Sequence, residues 1–301
     1  LKHYFQKGEE IPNETETIFT DQESTSSRLA HVKSAIDSKG NLHVVFLAFN
    51  NHTYYATNLS GTWEFEPLKY YDKHYKEDAD VIKLPTIVID EKDNIHIVTF
   101  DQNGQKIVYG KKPLNAGEFN LKTVVISPEP NYLSVFSAMS GEYADVAIDK
   151  NGGLHLICRA DYRDQTDFKY SQSAIYFNKP ANSEEWLLEV LLYDKQWSDR
   201  QWGYGKNSSI VSYNDKVYAV IGGSNELHLA SKSISGGQWE IERLILTPDK
   251  FINSGKDMIS LALSPEGGLK FAFYDRTDDE NSPWHGLTIF SRSACGDREW
   301  R

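Results

Sequence analysis

Residues 36–46 read IDSKGNLHVVF, residues 89–100 read IDEKDNIHIVTF, and residues 148–158 read IDKNGGLHLIC. In each, an Asp ends a short apolar strand, a turn rich in Gly and Asn follows, and a His six residues after the Asp opens a second apolar strand. The pairs are Asp37/His43, Asp90/His96 and Asp149/His155. Two weaker copies, SYNDKVYAV from Ser212 and LSPEGGLKFAF from Leu263, put Tyr218 and Lys270 in the His position. Self-similarity at a period of about fifty to sixty-five residues marks a propeller or a solenoid.

Working outward from the first copy, KSAID is an inner strand and SKGN a turn whose Gly and Asn tolerate positive φ. LHVVFLAF, TYYATN and TWEFEPL then continue an antiparallel meander. IVYGKK, FKYSQSAIYF, LHLASKS and HGLTIFSRS fill the third-strand place in the later copies. The predicted fold is all-β: a single five-bladed β-propeller of four-stranded antiparallel blades, over residues 29–68, 82–126, 142–192, 206–246 and 257–301. The last copy stops at GDREWR without a complete fourth strand, and ETETIFTD near the N-terminus has the pattern of one. Residues 14–21 are therefore expected to close the ring as a velcro strand beside 286–293, removing exposed sheet edges.

His43, His96 and His155 occupy one lattice position, once per blade. Ligands for a metal must converge, so these histidines are expected to be scaffold, with each Asp capping turn amides and each His bonding backbone or its Asp. Function should lie in what does not repeat. The connections between second and third strands and between blades fall on one face, and several are long: 69–85, 127–143, 160–167, 193–207 and 274–286. Long loops on one rim of a rigid ring are the default place for a site.

Those segments carry Trp197, Trp202, Tyr204, Tyr274 and Trp284 among Asp161, Tyr162, Arg163, Asp275 and Arg276. Flat rings beside charged hydrogen-bonding groups suit sugars, which present an apolar face and a polar edge. A 13% aromatic content, with 17 Tyr, 14 Phe and 7 Trp, fits the same reading. A net charge of −11 without a Lys/Arg cluster argues against nucleic acid, and no apolar run approaches membrane-spanning length. Cys158 and Cys295 are too few for a disulfide framework and are expected to be free. The chain is expected to be a secreted or periplasmic monomer with a carbohydrate partner and no cofactor, although a structural ion in the channel is compatible with the fold.

The pattern D-x-x-G-N-x-H-hydrophobic, then Y-x-x, then W and a strand, resembles the BNR-type repeats of bacterial propellers, many of them carbohydrate-active. The usual Asp box and arginine triad of sialidases are not found. Blade three, EYADVAIDKNGGLHLICRADYRD, is similar to propeller polysaccharide lyases of the ulvan-lyase type, whose motif has a Tyr just before an inner strand and an Arg ending the next. Tyr143 and Arg159 stand at those places, with Ala144 where the family has Pro and Ala160-Asp161 where it has Asp-Gly. The family also has two His that His31 and His52 match in separation, without the H-N-x-P motif.

The resemblance implies β-elimination from a uronate: Arg159 neutralises the carboxylate through its planar fork, and His31, His52 or Tyr143 takes the C5 proton. A glycoside hydrolase is the second reading, with carboxylates drawn from Asp101, Asp145, Asp161 and Asp275. A glycan-binding or protein-interaction propeller without catalysis is the third. Only blade three places a cation at the position of Arg159, where the other copies have Leu47, Phe100, Gly222 and Tyr274.

Overall fold

A computed structural model describes residues 2–5, 14–17, 30–48, 52–70, 82–101, 106–114, 116–127, 132–135, 144–163, 170–193, 208–222, 227–244, 259–264, 267–275 and 286–292. All regular structure among them is β. Lys2–Phe5 (β1) and Glu14–Thr17 (β2) form a two-stranded ribbon. Blade one is Ala30–Ile36 (β3), Leu42–Leu47 (β4), Thr53–Thr57 (β5) and Glu64–Pro67 (β6). Blade two is Ile82–Ile89 (β7), Asn94–Asp101 (β8), Ile107–Pro113 (β9) and Lys122–Thr123 (β10).

Blade three is larger. Val125–Ser127 (β11) and Tyr132–Val135 (β12) precede its meander of Ala144–Ile148 (β13), Leu154–Arg163 (β14), Tyr170–Lys179 (β15) and Glu185–Tyr193 (β16). Blade four is Ser208–Tyr213 (β17), Lys216–Gly222 (β18), Leu227–Ser233 (β19) and Glu240–Leu244 (β20). Blade five is Ile259–Leu263 (β21), Leu269–Asp275 (β22) and Gly286–Arg292 (β23). Each meander is antiparallel in sequence order, giving the five-bladed architecture expected.

The velcro closure is corrected. β2 pairs with β1, Lys2 opposite Thr17 through Phe5 opposite Glu14, and blade five has three strands among the described residues. An alternating ETET pattern accepts any antiparallel partner. One only a few residues upstream costs far less loop-closure entropy than one at the far end of the chain.

The opening motif builds the same hairpin turn repeatedly. Asp37 Oδ1 accepts the backbone amides of Lys39 (2.9 Å) and Asn41 (2.8 Å), and Asn41 donates its side-chain amide to Oδ2 at 2.7 Å. One residue of each turn is left-handed: Gly40, Asp93, Gly152, Asn214 and Gly267 in blades one to five, with φ between 54° and 85°. Gly, Asn and Asp are the residues that reach this region at least cost, so the turn chemistry sets the registers.

Each repeated His joins a three-residue unit. His43, His96 and His155 put Nδ1 against the hydroxyls of Tyr55 (2.6 Å), Tyr109 (2.9 Å) and Tyr176 (2.6 Å) on the third strand. Nε2 faces Asp37 (3.5 Å), Asp90 (3.2 Å) and Asp149 (3.0 Å). Asp90 and Asp149 accept from Nε2–H while the Tyr hydroxyls donate to Nδ1, which fixes one tautomer in blades two and three; at 3.5 Å Asp37 stands within ion-pair distance of His43. All three imidazoles are buried and belong to different blades, so the scaffold reading holds.

Each Tyr meets the fourth-strand region of the next blade edge-on: Tyr55 on Phe119 at 5.3 Å, Tyr109 on Trp186 at 5.9 Å, Tyr176 on Trp239 at 4.8 Å between centroids. A second repeated position lies beside it. Lys112 pairs with Glu66 of the preceding blade, Lys232 with Glu189 at 2.5 Å, and Arg292 with Glu242 at 2.8 Å. Lys179, the blade-three counterpart, lies 5.6 Å from the Tyr109 ring centroid. Aromatic contacts supply area and geometry, and the half-buried ion pairs fix how neighbouring blades are stacked.

These units predict acid sensitivity. Burial lowers the His43 and His96 pKa values from 6.5, against the opposing pull of Asp37 and Asp90. Burial also opposes ionisation of Asp37, Asp90 and Asp149, but hydrogen bonds outweigh it and hold these carboxyls below the ordinary range. In both cases the unfolded chain binds more protons than the folded one, so stability is complete above pH 6.5 and declines below it. Melting temperature should be flat from neutral pH upward through pH 8, fall below pH 6.5 as His43 and His96 are forced to charge, and fall further as the carboxylates protonate. A melting temperature that rises on acidification would contradict this account.

Candidate functional site

The central channel is lined by one lattice position of the inner strands: Lys33, Thr86, Asp145, Ser209 and Ser260, set opposite Val45, Val98, Ile157, Val220 and Ala272 on the second strands. Lys33 Nζ reaches Asp145 Oδ1 at 2.8 Å, so blades one and three are joined directly, past blade two. Asp145 Oδ2 accepts from Ser209 Oγ (2.7 Å) and the Ile210 amide (3.1 Å) of blade four. Ser209 Oγ in turn accepts the Leu261 amide of blade five at 3.1 Å. Four of five blades thus meet in one polar knot.

Asp145, one of the four carboxylates considered for the hydrolase reading, is thus engaged inside the ring. It is bound to a cation and two further donors, because a carboxylate at an inner-strand position is desolvated and must be paired. Asp101 ends β8 as expected, 2% exposed, and its Oδ1 caps the Lys106 amide at 3.0 Å.

Above the knot, on the loop-bearing face, blade three departs from its neighbours. β14 and β15 run ten residues each, against six to eight for the second strands elsewhere. β13 covers only the first half of β14, Ala144 opposite Cys158 to Ile148 opposite Leu154. β12 takes over as its partner from Ala160 to Arg163, with Val135 opposite Ala160 and Tyr132 opposite Arg163. The loop expected over 127–143 therefore contributes a strand that lengthens the blade beyond the ring. A parallel strand, β11, covers the opposite edge against β16.

Arg159 sits at the changeover between β13 and β12. It is 2% exposed. Asp161, Tyr162 and Arg163 follow it on the projecting part of β14, described in backbone register only. Cys158, its neighbour, is a free buried thiol whose pKa burial pushes up.

His31 and His52 belong to the same face of blade one. His31 lies two residues before Lys33 on β3, at a bulge with φ 52°. Leu84 has φ 56° at the same position of blade two, so blades one and two share the bulge. His52 precedes β5, its carbonyl accepting the Ala48 amide at 2.9 Å and its ring 6.3 Å from that of Tyr54. Tyr274 and Asp275 end β22. Tyr143, Trp197, Trp202, Tyr204, Arg276 and Trp284 lie outside the described residues.

Two features escaped the sequence reading. The channel knot was accessible from the repeat, because Lys33 and Asp145 are one lattice position 112 residues apart. The ion-pair lattice likewise has separations of 46, 43 and 50 residues, near the blade period. Among the described residues no group of three or more His, Cys, Asp or Glu could hold a metal ion, and no helix is long and apolar enough to cross a membrane.

No protein-family model matches the chain, and no curated protein matches it in sequence. Solved structures do match in fold. The Hadza microbial sialidase Hz136 has a TM-score of 0.61 at 9% identity, over 90% of this chain and 57% of its own length, so this chain spans little more than half of it. AofleA from Arthrobotrys oligospora has a TM-score of 0.54 at 10% identity, over 95% of this chain and 76% of that one. A GH43_1 enzyme from Xanthomonas citri, solved with xylose, has a TM-score of 0.51 at 10% identity, over 92% of this chain and 91% of that one. These likenesses establish a propeller fold shared with such proteins.

Proposed function

We propose that the chain is a secreted or periplasmic, monomeric, carbohydrate-active propeller that cleaves a uronate-containing glycan by β-elimination at one composite site on the loop-bearing face. The observation that carries the reading is the union of blades one and three. Lys33 and Asp145 pin their inner strands together at 2.8 Å, and these two blades supply all four proposed catalytic residues. In the sequence His31 lies two residues from Lys33, and Tyr143 two residues from Asp145. Arg159 belongs to the strand that pairs with β13. The shared propeller architecture with a sialidase and a GH43_1 enzyme supports the carbohydrate class.

In this mechanism the Arg159 guanidinium donates two N–H bonds to the uronate carboxylate, a bidentate match that neutralises its charge as the C5 proton leaves. His31, His52 or Tyr143 removes that proton, the C4–O bond breaks, and the departing oxygen takes a proton from a neighbouring acid. A non-reducing end with a C4–C5 double bond and a new reducing end result. Asp161, Tyr162, Arg163, Trp197, Trp202, Tyr204, Tyr274, Asp275, Arg276 and Trp284 hold the flanking sugars. No cofactor is needed for these steps.

The test is a panel of uronate-containing and neutral polysaccharides, followed for the ultraviolet absorbance of an unsaturated product and for new reducing ends. Gain of both on uronate substrates is expected. Reducing ends without absorbance would make the protein a hydrolase, and neither signal would make it a binding module.

A further inference from the structure

At three blade junctions the third-strand Tyr meets an aromatic in the fourth-strand region of the next blade: Tyr55 with Phe119, Tyr109 with Trp186, Tyr176 with Trp239. The Tyr position is the one opposite Val45, Val98 and Ile157 on the second strand. In blade four the residue opposite Val220 is Leu229. The ring is missing there, and the junction between blades four and five holds a cavity of about 720 Å³ with Leu229 in its wall.

The cavity lies at the turn-bearing end of the blades, opposite the face that carries Arg159: Asn214, Asp215 and Gly267, all residues of first-to-second-strand turns, line it. Its shape is braced. Gly267 has φ +80°, and a Cβ there would collide with the ring of Tyr213 from blade four, so one tyrosine is packed closely against the neighbouring turn. Tyr218, in the lattice place of the structural His, supplies a second ring. Glu242 and Arg292, paired at 2.8 Å, present hydrogen-bonding edges at the wall.

We infer that this cavity is a second binding site, for a neutral saccharide of one or two rings. The volume falls within the range of small-ligand sites, roughly 300–1,000 Å³. Two tyrosine rings offer the stacking surface that a sugar's apolar face needs, and a carboxylate–guanidinium pair can both accept from and donate to hydroxyls. Asp215, Glu240 and Glu242 face Lys216 and Arg292, so there is no cation surplus to draw a uronate. The ligand class therefore differs from that proposed for the loop-bearing face, and the two sites are independent.

Saturation-transfer NMR on the full chain, with the methyl glycosides of glucose, galactose, mannose and xylose as probes, tests the site. Transfer to at least one is expected in the wild type. Leu229→Tyr restores the residue type of the other junctions, so it should fold at least as stably and abolish the transfer. Glu242→Gln should weaken binding of that glycoside about tenfold or more, with melting temperature as the folding control. Arg159→Met should leave the transfer intact, which separates this site from the one on the opposite face. No transfer to any of the four probes would overturn the inference, as would transfer unchanged in Leu229→Tyr. Either result would mean that the cavity is closed in solution, by the chain itself or by a second copy, or is a void.

Discussion

Arg159→Met should lower kcat/KM on an acidic polysaccharide by a factor on the order of 10²–10³, the usual cost of deleting one preorganised group that meets developing charge, while the blades remain folded. Met matches the length of the Arg stem and carries no charge to desolvate, so it can occupy the 2% exposed position. Arg159→Lys should fall between, because it keeps the charge and loses the planar fork. If Arg159 instead only neutralises an internal carboxylate, Arg159→Met destabilises the protein and turnover falls no more than the folded fraction does. Melting curves beside initial rates distinguish the two.

The largest effect on stability should come from Trp186→Ala. Trp186 has no exposed surface, lies within the cluster that joins blades two and three, and meets Tyr109 edge-on. Emptying that site should cost about 3–5 kcal/mol, a fall in Tm on the order of 5–10 °C for a chain of this size. Trp186→Phe should recover part of it. A loss below about 1 kcal/mol would mean that the inter-blade aromatic contacts are incidental and that the ring is held mainly by its channel knot.

The blades were legible because their information is local. A capping Asp, a left-handed turn residue and a His–Tyr pair recur at a fixed offset, and each acts within one hairpin. The velcro strand was misread because ETET carries alternation but no partner identity, and KHYF, a few residues upstream, offers it a nearer partner. The partners of Asp145 were not legible for a related reason. Its chemistry is set by Lys33, Ser209 and Ile210 on other blades, which only a residue-by-residue overlay of the inner strands brings together.

The candidate site was legible in kind more than in detail. Arg159 was singled out because it breaks the repeat, where its counterparts are Leu47, Phe100, Gly222 and Tyr274. The structure adds that β14 changes partner from β13 to β12 next to it. That strand exchange could not be read from SPEPNYLSVFSAMSGEY, where YLSV is too short to declare itself as a strand.

The most direct test of the central claim is the ultraviolet absorbance of product formed from a uronate-containing polysaccharide by the wild type and by Arg159→Met, with a neutral polysaccharide alongside. The account predicts a steady rise for the wild type on the uronate substrate, almost none for Arg159→Met, and none for either protein on the neutral one. A wild type that generates reducing ends from the uronate substrate without any rise in absorbance would contradict β-elimination outright.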